Sequence, residues 1–87
     1  MHRYTVIWSE SAETRLAELW NDNPAIRQEI ADAADLIDAT LAETPYAVGR
    51  ASSERARYVV SDPLAVLYTV YEDDRQIHVI FVKVWYD

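Results

Sequence analysis

The spacing of apolar residues changes from a helical period to a strand period about halfway along this chain. Two consecutive stripes recur in steps of three and four residues, the pattern of helices that each bury one face. The first stripe consists of Ala12, Leu16, Leu19 and Trp20, and the second of Ile26, Ile30, Ala33, Ala34, Ile37 and Leu41. Beyond residue 54 the pattern is that of β-strands, so a sheet is expected to cover both helical faces.

Polar residues and a proline mark where these helices begin. Ser9 is suited to cap the first helix, with Glu10 and Glu13 close to the positive end of its dipole. Asn23 is suited to cap the second helix, and Pro24 fits its first position because the N–H that proline lacks has no partner there in any case. Both predicted starting points agree with the apolar stripes.

Four segments of the sequence predict β-strands. The first precedes the helices and is rich in β-branched and aromatic residues, and the other three follow a predicted loop at residues 44–53. The strands are predicted at residues 3–8, 55–61, 64–72 and 75–86. The near-continuous apolar run from Ile77 to Val84 is typical of a strand covered on both faces, and Trp20 and Phe81 are predicted to lie in the core.

The resulting order of elements is β-α-α-β-β-β over a single domain, residues 1–87. It predicts an α+β fold in which two N-terminal helices pack on a mostly antiparallel four-stranded sheet. No segment approaches the ~20 apolar residues of a membrane-spanning helix, and the N-terminus lacks the pattern of a signal peptide. Because the chain has no cysteine, a disulfide framework and a thiolate metal site are excluded, and the cytoplasm is the expected location.

The charge of the chain is acidic and unevenly distributed. Fifteen Asp and Glu against eight Lys and Arg give a net charge of −7, which disfavours a nucleic-acid interface spread over the whole surface. The second predicted helix carries Glu29, Asp32, Asp35 and Asp38 away from its apolar stripe. Residues 50–57 hold three Arg and one Glu, so an anion would be met there.

Six stretches of the sequence together point to a known family. They are the strand that ends in Trp8-Ser9, the Ser-Ala-Glu helix start at 11–13, the second amphipathic helix, the segment PLAVLYTV at 63–70, the strand that bears Arg55 and Arg57, and the closing strand VIFVKVW at 79–85. In element order and hydrophobic pattern they resemble the RelE/ParE superfamily, the toxins of type II toxin–antitoxin systems. The similarity extends over essentially the whole chain.

The resemblance implies one of two toxic activities, or a protein that has lost both. RelE-like proteins cleave mRNA in the ribosomal A site, whereas ParE-like proteins inhibit DNA gyrase without catalysis. The third alternative acts only as an antitoxin-binding module. Cleavage through the ribose 2′-OH needs a base for that proton, a cation for the phosphate and an acid for the leaving 5′-oxygen, and no cofactor or metal is expected.

The candidate catalytic residues follow from the resemblance. Arg55 and Arg57 match the cationic strand of RelE-like enzymes, and their two-residue spacing makes them point the same way, as a pair for the scissile phosphate. Lys83 and Tyr86 are the candidates for assisting them. Ala65 stands where RelE-like members often carry a further Arg, and the sequence stops shortly after Tyr86, where they continue with a basic or His- and Tyr-containing segment. Surface ion pairs, a sheet-edge lysine and a stacked aromatic are the structural alternatives.

A cognate antitoxin is the partner that the resemblance implies, in a homodimeric or heterotetrameric assembly. We expect its C-terminal segment to contact residues 50–58 and a sheet edge, with Arg50, Tyr58 and Tyr71 as contact residues for antitoxin or nucleic acid. Because the predicted helices are acidic, the segment that crosses them should be rich in Lys and Arg. The target is the ribosome with its mRNA, or DNA gyrase, and no membrane contact is expected.

His78, in the last predicted strand, is expected to be a surface or packing residue.

Overall fold

The computed structural model describes residues 3–46, 50–51 and 56–85. Within these ranges the elements are β1 (Thr5–Trp8), α1 (Glu10–Asp22), a 3₁₀ turn (Pro24–Ile26), α2 (Arg27–Glu43), β2 (Arg50–Ala51), β3 (Ala56–Ser61), β4 (Leu64–Tyr71) and β5 (Gln76–Val84). The strands form one sheet in the order β1-β5-β4-β3-β2, in which β1 runs parallel to β5 and the other pairs are antiparallel. The predicted α+β fold is confirmed, with the two-residue β2 added where the sequence predicted a loop.

The first and last strands of the chain meet in the sheet. β1 lies beside the first half of β5, with Val6 opposite Ile77 and Trp8 opposite Val79. The N–H of Ser9 donates to the carbonyl of Val79 at 2.9 Å, and the chain then leaves the sheet to form α1. Parallel neighbours require a long crossover, which here contains both helices and the β3–β4 hairpin.

The hydrophobic core lies between the helices and one face of the sheet. Its buried residues are Ala12, Leu19, Ile30, Ala33, Ile37, Leu41, Leu64, Val66, Tyr68, Ile77, Val79 and Val82. They include much of both predicted helical stripes. Tyr68 is the largest fully buried side chain, and its hydroxyl donates a hydrogen bond to the carbonyl of Pro45, which satisfies the buried phenol. Of the described helices, neither is long and apolar enough to cross a membrane.

The opposite face of the sheet, called the open face below, carries no helix in the part of the chain that the structure describes. The prediction of a last strand covered on both faces is therefore wrong, because Ile80 and Phe81 are 41% and 49% exposed. The strand register explains why both are outside the core. Phe81 pairs with Leu67 and Val79 pairs with Tyr68, so Ile80 is an extra residue that forms a bulge.

The prediction for the start of the first helix is confirmed. That for the second is right in position, because Asn23 precedes the helical turn that begins with Pro24, and wrong in the cap bond. The Ser9 hydroxyl accepts the N–H of Ala12 at 3.1 Å, as an N-cap does. The Asn23 side chain makes no cap bond to the following helix and instead donates to the Leu19 carbonyl at 2.8 Å, which closes α1. A 3₁₀ turn that begins at Pro24 then precedes α2.

Trp20 is the other aromatic residue for which predicted burial is wrong. Its side chain is 42% exposed, and the Arg27 guanidinium lies 4.2 Å from the ring centroid. The Arg27 Nε also donates to the Trp20 carbonyl at 2.9 Å. Trp20 lies at the end of the α1 stripe, so its ring reaches the surface, and the cation–π contact takes the place of core packing.

Leu41→Ala and Leu36→Ala compare two leucines of α2 that differ in burial. Leu41 is fully buried, whereas Leu36 is 58% exposed. Leu41→Ala leaves a cavity in the core and should lower the free energy of unfolding by about 2–5 kcal/mol. Leu36→Ala should change it by no more than about 0.5 kcal/mol. Urea unfolding followed by circular dichroism measures both, and equal losses would contradict this position of the core.

Candidate functional site

The predicted catalytic residues Arg57 and Lys83 lie on different faces of the sheet. On β3, Arg57 points to the same side as Val59, which packs against the core, so its side chain lies on the helix side. On β5, Lys83 directly follows the buried Val82, so it points to the open face. One site therefore cannot contain both cations.

The predicted partner contacts Tyr58 and Tyr71 lie on the open face. Tyr58 is 36% exposed in the middle of β3, and Tyr71 is 42% exposed at the end of β4. The backbone of Arg50 pairs with that of Tyr58, but the Arg50 side chain lies outside the described part of the chain. The predicted catalytic residues Arg55 and Tyr86 also lie outside it.

His78 packs against Tyr71 on the open face. The two ring centroids are 4.6 Å apart, and the ring planes are inclined by 54°. The His78 Nε2 atom lies 3.0 Å from the Gln76 Oε1 atom, so the imidazole also has a hydrogen-bond partner. This placement agrees with the predicted packing role.

A row of apolar side chains crosses the open face from β3 to β5. Tyr58 pairs with Leu67, which pairs in turn with Phe81. Ile7 and Val60 are exposed on the same face, on β1 and β3. None of the five described strands contains Asp or Glu, so this apolar surface is free of strand carboxylates.

Arg57 is held on the helix side by Tyr46, a residue that follows α2. Its Nη2 atom donates to the Tyr46 carbonyl at 3.0 Å. Its guanidinium carbon lies 5.6 Å from the centroid of the Tyr46 ring, within the range of a cation–π contact. The same residue therefore contacts Arg57 through its backbone and through its ring.

Tyr46 belongs in turn to a polar cluster around the Glu72 carboxylate, called the Glu72 cluster below (Tyr4, Tyr46, Glu72 and Arg75). The Tyr4 hydroxyl donates to both carboxylate oxygens at 2.8 Å, and the Tyr46 hydroxyl donates to Oε2 at 2.9 Å. Arg75 Nη1 donates to Oε1 at 3.0 Å, and the Arg75 guanidinium carbon lies 4.4 Å from the Tyr4 ring centroid. The carboxylate thus joins the hairpin turn to two tyrosines from distant parts of the chain.

The hydrogen bonds of the Glu72 cluster shift the pKa values of its members in consistent directions. The bond to Glu72 raises the pKa of Tyr4 above its ordinary value of 10.0. Burial, and then the bond to Glu72, raise the pKa of Tyr46. The bonds from Tyr4 and then from Tyr46 lower the pKa of the Glu72 carboxyl below 4.5. At neutral pH the cluster is therefore an ionised carboxylate that accepts from two protonated phenols.

No pattern in the sequence indicates the Glu72 cluster. Tyr4 and Glu72 are 68 residues apart, and Tyr46 and Glu72 are 26 residues apart. No periodicity links residues at such separations. The sequence also does not reveal the unusual backbone of Arg75. Its φ of 53° lies in the left-handed region, which residues other than glycine rarely adopt.

A groove with acidic rims runs along the helix pair. Its larger hollow, of about 570 Å³, has Leu16, Ile30 and Ala34 in its floor and Glu13 and Asp35 at its rim. A second hollow of about 300 Å³ shares Leu16, Glu13, Ala34 and Asp35, so the two are continuous. Neither has a Lys or Arg among its described lining residues.

Three solved structures of toxin–antitoxin proteins match this fold. The chain matches a chain of the toxin–antitoxin complex RelBE2 from Mycobacterium tuberculosis with a TM-score of 0.79 and 21% identity, covering 100% of this chain and 97% of that one. It matches the chromosomal ParDE system from P. aeruginosa with a TM-score of 0.71 and 14% identity, covering 99% and 100%. It matches the isolated E. coli RelE toxin with a TM-score of 0.66 and 14% identity, covering 97% and 86%.

Comparison of the sequence finds no counterpart to these structural matches. No protein-family model matches the chain, and a search of curated proteins finds no match. The likeness to the solved structures establishes a shared fold, and at this level the predicted resemblance to RelE/ParE toxins is confirmed. Fold alone does not identify the target.

Glu72→Gln should destabilise the protein at neutral pH but not in acid. Folding lowers the pKa of Glu72, so the ionised carboxylate contributes stability that is present above its unfolded value of 4.5 and is lost as the pH falls through the folded value. The difference in unfolding free energy between wild type and Glu72→Gln should therefore shrink below pH 4.5. Urea unfolding at several pH values measures it, and a difference that stays constant into acid would contradict the role of the carboxylate.

Proposed function

We propose that this protein is the toxin of a toxin–antitoxin pair. The observation that carries the proposal is the match over nearly the whole chain to structures from three such systems. The chain would inhibit growth when it is free and would be neutralised when its antitoxin binds. Two mechanisms are candidates, and a different observation supports each.

The first candidate mechanism is ribosome-dependent cleavage of mRNA, with Arg57 on the scissile phosphate. Two contacts with Tyr46 support it, because they hold the guanidinium before any ligand arrives. A positioned guanidinium binds phosphate through paired N–H groups and stabilises the charge that develops during cleavage. In this mechanism Arg55 and Tyr86 remain candidates for the second cation and the proton transfer.

The second candidate mechanism is inhibition of DNA gyrase by binding alone. The likeness to the ParDE system supports it, and so does the placement of Arg57 and Lys83 on opposite faces of the sheet. A protein that acts by binding needs no assembled set of acid and base. The open face, with its row of Tyr58, Leu67 and Phe81, would then be the surface that meets the target.

The antitoxin would bind with a segment rich in Lys and Arg where it crosses the helices. The groove between α1 and α2 supports this, because it offers an apolar floor between Glu13 and Asp35. An amphipathic helix with apolar anchors and basic flanks has the matching chemistry. A second part of the antitoxin would cover Arg57 and the neighbouring residues 50–58.

RNA 5′-end mapping in a translating extract separates the two mechanisms. Purified protein that acts as RelE does should produce new ends in phase with codons, only when ribosomes are present. Arg57→Ala should slow this cleavage about 100-fold, since it removes the charge opposite the phosphate. Arg15→Ala, an arginine of α1 paired with Glu18, is the matched control and should leave cleavage unchanged.

The same preparations should be tested for inhibition of DNA supercoiling by gyrase. Intact mRNA together with inhibited gyrase would refute the first mechanism and support the second. Intact mRNA, unimpaired translation and fully active gyrase would contradict both, and would favour a protein that only binds antitoxin.

Arg57→Glu should weaken binding of the cognate antitoxin about tenfold or more, because it places a like charge where the antitoxin must supply carboxylates to cover a cation. Isothermal titration calorimetry measures the dissociation constant. Arg3→Glu provides the control, since Arg3 pairs with Glu43 and precedes β1, which β5 and β4 separate from β3 in the sheet. An unchanged dissociation constant for Arg57→Glu would contradict the predicted contact with residues 50–58.

A further inference from the structure

We propose that Tyr46 and Glu72 are positioning residues for Arg57. The inference rests on the proposed function, in which Arg57 contacts phosphate, and it adds the side chains that set the direction of the guanidinium. An arginine side chain has many rotamers, and holding it in one of them before the ligand binds removes an entropic cost from binding and from catalysis.

Tyr46 is suited to this role because it is fixed independently of Arg57. Its hydroxyl donates to Glu72 at 2.9 Å. The preceding carbonyl, that of Pro45, accepts the hydroxyl of Tyr68, which is fully buried in the core. Within this turn, Pro45 is thus hydrogen-bonded to the core, and Tyr46 is hydrogen-bonded to the turn between β4 and β5.

Glu72 is a suitable anchor because its carboxylate is fixed in turn. Arg75, three residues further along the same hairpin turn, donates to it at 3.0 Å, so the carboxylate does not depend on either tyrosine for its place. Hydrogen bonds to an ionised acceptor are stronger than those between neutral groups. The order of dependence therefore runs from Glu72 to Tyr46 and from Tyr46 to Arg57.

The two tyrosines of the Glu72 cluster provide a matched pair of variants. Tyr46→Phe and Tyr4→Phe each remove one hydroxyl that donates to the same carboxylate. Only Tyr46 also contacts Arg57, through its carbonyl and its ring. If the cluster served stability alone, the two variants would leave Arg57 equally unaffected.

The direct readout is the NMR signal of the Arg57 Nε–Hε group in the uniformly ¹⁵N-labelled protein. Tyr46→Phe and Glu72→Gln should shift and broaden this signal, whereas Tyr4→Phe should leave it in place. Urea unfolding of all three variants identifies any that do not fold. An unchanged Arg57 signal in folded Tyr46→Phe, or an equal change in Tyr4→Phe, would overturn the proposal.

The second readout is the rate of ribosome-dependent cleavage, measured on the same variants. Tyr46→Phe should lower kcat about tenfold, the scale of one hydrogen bond to a charged group. It should leave KM for the programmed ribosome within about twofold, because the docking surface is intact. Tyr4→Phe should change neither constant. A loss confined to KM would overturn the proposal, since it would indicate a docking role.

The two readouts separate failure of this inference from failure of the proposed function. If the wild-type protein cleaves no mRNA, the proposed mechanism fails, and the Arg57 signal still decides whether Tyr46 and Glu72 hold the side chain. If the wild type cleaves mRNA and Tyr46→Phe does so at the same rate, the mechanism stands and the positioning role is refuted.

Discussion

Two amphipathic helices cover only one face of a sheet of this width, and much of the structure follows from that limit. The buried Tyr68 marks the covered face in the centre of β4. Arg57 is the residue directly opposite Tyr68 on β3, so strand pairing places it on the helix side. Lys83, one residue beyond the buried Val82, is placed on the open face by the same alternation. The separation of the two cations is thus a consequence of which face the helices cover.

The covered and open faces also differ in charge. The described strands contain no Asp or Glu, so the carboxylates of the described residues lie on the helices and in the turns. An approaching anion is repelled from the helix pair, including Glu10 and Glu18 beside Ile80 and Phe81, and is attracted to the strand cations Arg57 and Lys83. A cationic partner is attracted to the groove between α1 and α2 instead. One molecule with a net charge of −7 can therefore present two surfaces that suit partners of opposite charge.

Periodicity predicted what depends on close neighbours in the sequence: both helices, four strands and the side of each helix that is buried. It failed where one residue decides the outcome. Asn23 closes α1 rather than opening α2, because its amide reaches the Leu19 carbonyl. Ile80 adds one residue to β5, so Phe81 emerges on the open face although it lies in a continuous apolar run. When the residues on both faces of a strand are apolar, the sequence does not reveal whether the second face is covered.

The Glu72 cluster shows why a site can depend on topology rather than on any local signal. Gln76 at the start of β5 pairs with Thr5 of β1 on one side and with Tyr71 of β4 on the other. The residues just outside these pairs, Tyr4 and Glu72, are thereby neighbours although 68 residues separate them. The Tyr4 N–H also donates to the Ala42 carbonyl at 2.9 Å, which brings the end of α2 to the same edge. The parallel pairing of β1 with β5 thus determines which side chains surround Arg57, the arginine that the sequence identified.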